Sequence, residues 1–341
     1  MEIKNLVRQN IRELIAYSSA RSEFKGKADI FLDANENPFQ QSYNRYPDPQ
    51  QSELKQLLSR YKGCNIDNIF IGNGSDEAID LLLRAFCTPR KNLCYQFDPT
   101  YGMYQVSAAI NDITLKRLTL TSDFQLPSWK SIEDVVRIPG LMFICSPNNP
   151  TGSSFSVDTI EEYADNFEGI VVIDEAYIDF SSQESCLQLI QSHSNIVVLQ
   201  TLSKAYGLAG IRVGMAFANS EIISILNKIK PPYNVSSSSI DLAIKRLNNK
   251  TIVNEEIQLI IKEREHLKMA LEALPFVEKV YPSGANFLLI KVEEPLRIYN
   301  YLKDAGIIIR DQSNKVKGGL RISIGTPSEN AQLIKTLKSV Q

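Results

Sequence analysis

Histidine is nearly missing from this chain. His193 and His266 are the only two among 341 residues, and they are not spaced as metal ligands. His266 falls in a charged helical pattern and reads as a solvated helix position. The five cysteines, Cys64, Cys87, Cys94, Cys145 and Cys186, contain no C-x-x-C pair and are odd in number. A disulfide framework or zinc cluster is therefore not expected, and reduced thiols are. No apolar run approaches the roughly 20 residues that cross a bilayer. The opening MEIKNLVRQN is followed by no apolar core of a secretory leader, so the cytoplasm is the expected location. Neither sign of charge dominates: 37 basic residues face 39 acidic ones, spread along the chain without a basic tail. Nothing in that balance calls for nucleic acid. Metal, membrane and nucleic acid are thus all set aside as partners.

What is present is alternation. Short apolar runs at 69–71, 141–145, 170–173, 196–199 and 213–218, by their brevity and β-branched content, read as strands buried on both faces. Residues 75–87 read as a helix, with Ser75 able to cap it and Ile79, Leu82, Leu83 and Phe86 on one face. Strands alternating with helices predict an α/β layer with a largely parallel sheet. Pro231-Pro232 breaks that pattern. A long helix over about 252–274 follows, then strands near 286–291, 307–309 and 320–324, which together predict a smaller α+β domain. The expected division is a large domain over 41–240 and a small one formed by 1–40 with 241–341.

Three polar segments each follow a buried strand: 146–152 (SPNNPTG), 174–177 (DEAY) and 201–204 (TLSK). In a parallel sheet all three lie at the carboxyl edge, where open α/β folds bind ligands. The gap from Asp174 to Lys204 leaves room for one crossover helix. A fourth segment, 72–77 (GNGSDE), opens the helix at 75 and could present backbone N–H groups to an anion. It is not a Walker loop, since no Gly-Lys-Ser/Thr follows. Each segment alone has a plainer explanation: Asp174 as a helix cap, Lys204 as a surface lysine, Asn149-Pro150-Thr151-Gly152 as a turn, Asp76 and Glu77 as partners of a helix dipole. Three such explanations at consecutive strand ends are harder to sustain together.

With those residues in view, the chain resembles the fold-type I aminotransferases that use pyridoxal 5′-phosphate (PLP). The likeness is carried by SPNNPTG, DEAY and the SKAYGLAGIR run with Ser203, Lys204 and Arg212. It is narrowest toward the histidinol-phosphate aminotransferases, through DANENP at 33–38, RYPD at 45–48, GSDE at 74–77, YGMY at 101–104, GIIIRDQ at 306–312 and LRISIG at 320–325. That resemblance implies a fold-type I architecture: a large domain whose mostly parallel sheet is sandwiched by helices, plus a smaller α+β domain. It implies that Lys204 carries PLP covalently and then moves the substrate proton. Asp174 would pair with the ring nitrogen, Tyr177 and Asn149 with the ring oxygen, and Tyr101 would stack on the ring face. Gly74, Ser75, Asp76, Ser203 and Arg212 would hold the cofactor phosphate, joined by Tyr46 of a neighbouring subunit in a homodimer. Arg321, Arg310, Tyr17, Asn37 and Tyr46 would receive the substrates, L-histidinol phosphate and 2-oxoglutarate or glutamate. Three other readings stay open: an aromatic or broad-specificity aminotransferase, a PLP decarboxylase of a phosphorylated amino acid, and a non-catalytic module that binds a phosphorylated ligand.

Overall fold

The computed structural model describes residues 2–18, 23, 24, 26, 28–39 and 42–340. The expected domain junction at 40/41 therefore lies outside the described residues. Seven strands form the main sheet: β1 (Ile69–Asn73), β2 (Leu93–Asp98), β3 (Thr114–Thr119), β4 (Gly140–Cys145), β5 (Ile170–Asp174), β6 (Ile196–Thr201) and β7 (Val213–Ala218). Their order is β1-β7-β6-β5-β4-β2-β3. All run parallel except β7, which is antiparallel to both β1 and β6. Strands β4 to β7 are buried along their whole length, as a sheet covered on both faces requires. Their side chains divide by the period of two. Val171, Ile173, Ile196 and Val198 enter one core, and Ile170, Val172, Val197 and Leu199 enter the other, beside helix Ser75–Phe86.

Five of the expected strands appear in place, and helix Ser75–Phe86 matches its reading to within a residue. Strands β2 and β3 have no apolar run to announce them: Gln96 interrupts the first, and the edge strand β3 is TLKRLT with one buried residue, Leu118. The crossover between β5 and β6 is two short 3-10 turns, Ile178–Phe180 and Cys186–Gln191, rather than the α-helix expected there.

The C-terminal unit is a four-stranded antiparallel sheet in the order β10-β11-β9-β8, formed by β8 (Val277–Val280), β9 (Phe287–Val292), β10 (Arg310–Asp311) and β11 (Gly319–Ser323). The strand expected at 307–309 begins instead at Arg310. Helix Lys250–Glu272 joins the two units. Its Val253 and Ile257 pack in the large-sheet core, while Leu267 and Leu271 pack under the small sheet. The cores therefore part within this helix, later than the expected boundary at 240. The N-terminal assignment also changes. Ile3 and Val7 bury in the layer with helices Ser75–Phe86 and Ser220–Ile229, and the Arg8 N–H donates to the Ala85 carbonyl at 2.9 Å. That segment docks on the large sheet, not on the small domain with which 1–40 was grouped. Its apolar side chains at i and i+4 fit a groove that only the assembled helices create. Among the described residues no helix is long and apolar enough to cross a membrane, and no cluster of metal ligands occurs.

Candidate active site

Because β1, β4, β5 and β6 are mutually parallel, their carboxyl ends share one edge of the sheet. A cavity of ≈ 160 Å³ opens there, lined by Gly74, Ser75, Asp76, Tyr101, Asn149, Asp174, Tyr177, Ser203, Lys204 and Arg212. Ten of the residues singled out from sequence thus meet on one wall. Cys145, Ala176, Thr201 and Ala209 complete it. A larger surface cavity, ≈ 1050 Å³, lies elsewhere, along Lys4, Ile11, Lys55 and helix Ser220–Ile229, and holds none of this chemistry.

Asp174 forms the floor. It ends β5, is 3% exposed, and accepts from the Tyr104 hydroxyl at 2.6 Å and the Ala176 N–H at 3.1 Å. Burial pushes its carboxyl above the usual range, and those two hydrogen bonds pull it back. A buried carboxylate with only neutral donors is an incomplete pair, and a cationic N–H entering the cavity would complete it. Tyr104 was not singled out from sequence as a site residue. It is fully buried, and its ring stacks on Phe143 at 4.5 Å. The available signal was its place three residues after Tyr101, in the first turn of helix Met103–Ile110.

Lys204 follows β6 in a tight bend closed by Leu202 N–H to Val213 O at 3.0 Å and Gly207 N–H to Lys204 O at 3.1 Å. The residue is open to the cleft, yet its amine lies 5.7 Å from the Tyr177 ring centroid. Desolvation lowers its pKa, Arg321 and Arg212 lower it further, and Asp174 and Asp76 oppose them. The result favours a neutral, nucleophilic amine. Arg321→Gln removes a neighbouring cation, so the Lys204 pKa rises and less neutral amine exists at a given pH. The pH midpoint for capture of an aldehyde by Lys204 is expected to move upward, as measured by borohydride trapping across a pH series. An unmoved midpoint would remove Arg321 as a cause.

Tyr177 and Asn149 stand side by side, with Asn149 Nδ2 donating to the Tyr177 hydroxyl at 3.4 Å. Arg321 of β11 reaches in from the small domain to the Asn149 amide oxygen and lies over the Phe287 ring at 5.3 Å. Its Nε is buried and finds no acceptor among the described residues.

The opposite end is built for an anion. The N-terminus of helix Ser75–Phe86, the Ser203 hydroxyl and the Arg212 guanidinium converge there. Gly74 is required by geometry: its φ is +75°, and a Cβ would lie 2.7 Å from Arg212 Nη2. Arg212 itself sits in the left-handed region at φ 55°, with its guanidinium 3.4 Å from Asp76. Asp76 in turn accepts from Tyr101 at 3.2 Å, which orients that ring.

The remaining sequence-derived residues lie outside this wall. Arg310 is exposed, but β10 places it in direct register with Arg321, and neither pairs with a carboxylate among the described residues. Two unpaired arginines side by side repel unless an anion joins them. Tyr17 and Asn37 are exposed, and Tyr46 stacks on Tyr233 at 4.5 Å beside Ser236, Ser237 and Ser238. None of these three reaches the Lys204 cavity of its own chain.

Residues 28–337 match the family model described as aminotransferase class I and II. A histidinol-phosphate aminotransferase of Flavobacterium johnsoniae is 49% identical over 342 residues, covering 99% of this chain and 98% of that one. Its counterpart in Parabacteroides distasonis is 48% identical, covering 100% and 99%. Among solved structures, the Sinorhizobium meliloti histidinol-phosphate aminotransferase in complex with pyridoxal 5′-phosphate superposes with a TM-score of 0.79 at 23% identity, covering 87% of this chain and 84% of that one.

Proposed function

Since the chain belongs to the class I and II aminotransferases and is a PLP-dependent transaminase, we propose that it exchanges the amino group between L-histidinol phosphate and 2-oxoglutarate. The observation that carries the substrate is near-identical length and 48–49% identity to relatives that bear that name. The Arg310–Arg321 register agrees with it, because both substrates bring an anion and histidinol phosphate brings no α-carboxylate.

The residues present fit PLP. The cavity offers a cradle for a phosphate at Ser75, Ser203 and Arg212, a buried carboxylate for a ring N–H at Asp174, donors for a ring oxygen at Tyr177 and Asn149, and an aromatic plate at Tyr101. When bound, PLP supplies the electron sink that makes the substrate's α-proton removable. Lys204 would hold the cofactor through its amine, and that amine would carry the proton between the substrate α-carbon and the cofactor. Asp174 keeps a positive charge opposite itself. Arg321 and Arg310 bind the distal phosphate of one substrate and a carboxylate of the other in turn.

The same reading makes the enzyme a cytoplasmic homodimer. Its support is a segment of exposed apolar side chains, Ile15, Ile30, Leu32, Phe39 and Tyr43, next to a Tyr46 that its own cavity does not use. The test is a panel of half-reactions on PLP-loaded enzyme with sedimentation of the same sample. Histidinol phosphate is expected to outrun phenylalanine by at least about 100-fold in kcat/KM, since a single carboxylate neutralises the arginine pair less fully than a phosphate does. Phosphothreonine is expected to release no carbon dioxide, and the protein to sediment as a dimer. Preference for phenylalanine, or decarboxylation, would replace this substrate with one of the rival readings. A protein that gains no visible band with PLP would return it to a binding module.

A further inference from the structure

The hairpin that carries both distal arginines touches the large domain a second time, through a residue with no role so far. The loop from β10 to β11 turns tightly, with the Lys315 and Val316 N–H groups both donating to the Gln312 carbonyl at 2.8 Å. Gln312 and Val316 are buried, so the loop is anchored. It projects Lys315 across the domain boundary, where Nζ donates to the Thr100 carbonyl at 2.5 Å. Thr100 is no loose acceptor. It is buried, its hydroxyl donates to Asn148 Oδ1 at 2.7 Å, and Asn148 Nδ2 donates to the Pro99 carbonyl at 2.9 Å. The following residue is Tyr101, a wall of the Lys204 cavity.

Lys315 is an expensive residue to keep at this point. Its ammonium has three donors and makes one bond, to a neutral oxygen. Burial lowers its pKa, Asp98 opposes this, and Arg321, Arg310 and Arg117 add to it. The residue is exposed, yet three other cations surround its ammonium, and the bond to Thr100 is what holds it among them. An anion taken up between Arg310 and Arg321 would screen that repulsion and strengthen the bond to Thr100.

We propose that Lys315 is a positioning residue that fastens the arginine-bearing hairpin to the carbonyl preceding Tyr101, so that capture of a substrate anion sets Tyr101 against the cofactor ring. This rests on the function proposed above and deepens it. Coupling of this kind is reciprocal: whatever orders Tyr101 also favours the anion-ready hairpin.

The test is a double-mutant cycle of Lys315→Met and Tyr101→Ala, read as PLP affinity of the apoenzyme and as the half-reaction rate with glutamate. In an otherwise native chain, Lys315→Met is expected to lower both by about tenfold, a common size for coupling between two sites. In the Tyr101→Ala background it is expected to change either by less than about twofold, because the path runs through that ring. Lys315→Arg, which keeps a charged donor, is expected to retain most of both. Lys315→Gln replaces the methionine variant if the latter does not fold. Additive losses overturn the proposal. So does a variant equal to the native chain, or one that raises KM for glutamate while PLP affinity stays unchanged, which would make Lys315 a direct anion ligand. If the native enzyme does not turn over histidinol phosphate with 2-oxoglutarate, the substrate assignment fails, while the PLP-affinity arm still judges Lys315.

Discussion

Lys204→Ala is expected to lower turnover by at least about 10⁴-fold, because it removes a covalent anchor and a proton carrier together. The residue stands at the end of β6, and its amine is desolvated and faced by Arg321 and Arg212. No other lysine lines the cavity, so no neighbour can take over the proton transfer. The measurement is kcat with histidinol phosphate, together with peptide mapping after borohydride reduction of the native protein with PLP. Mapping is expected to place the reduced label on Lys204 alone. Lys204→Arg is expected to be equally inactive, since guanidinium stays protonated. Folding is not at issue in these variants, for the lysine makes no side-chain hydrogen bond or ion pair among the described residues. Turnover within about tenfold of native in Lys204→Ala would remove the centre of the mechanism.

Asp174→Asn is expected to cost about 10²–10³-fold in kcat, the size seen when one preorganised electrostatic group is lost. The amide oxygen can still accept from Tyr104, but its NH2 then faces the Ala176 N–H, so one hydrogen bond goes with the charge. A second readout separates charge from structure. Burial raises the folded-state pKa of Asp174, so its ionised form disfavours the folded chain at neutral pH. That penalty fades as pH falls through the raised folded pKa and is gone below the unfolded one. Asp174→Asn without cofactor is therefore expected to melt close to the native temperature near neutral pH, since relief of the buried charge offsets the lost Ala176 bond. Its stabilisation by added PLP is expected to be smaller than the native chain's. An apoprotein that melts well below native would mean that Asp174 is chiefly structural. The pattern expected instead is a group held at a cost to stability because chemistry needs it.

How legible this was differs by element. The strands β4 to β7 announced themselves as short apolar runs because both their faces are buried, which leaves no polar alternation. Strand β3 is the sheet edge, where Lys116 and Arg117 reach solvent, and β2 carries a buried Gln96 that donates to Asp98 at 2.6 Å, so neither gave a run to read. Tyr104 escaped notice as a site residue because a fully buried aromatic on a helix looks like core; only its 2.6 Å bond to Asp174 shows its use. Lys315 had no signal at all, since its partner lies 215 positions away.

Residue types and their order were enough to say that Asp174, Lys204, Asn149 and the 72–77 turn fall at strand ends, and that parallel strands bring such ends to one edge. Local chemistry determines that much, because strand burial and turn formation are written in neighbouring residues. Only the folded chain decided that the N-terminal segment docks on the large sheet, that the two cores divide inside helix Lys250–Glu272, and that Arg310 and Arg321 stand in register. Those facts depend on which surfaces remain uncovered once the sheets have formed. That is a property of the whole shape, and no window of sequence contains it.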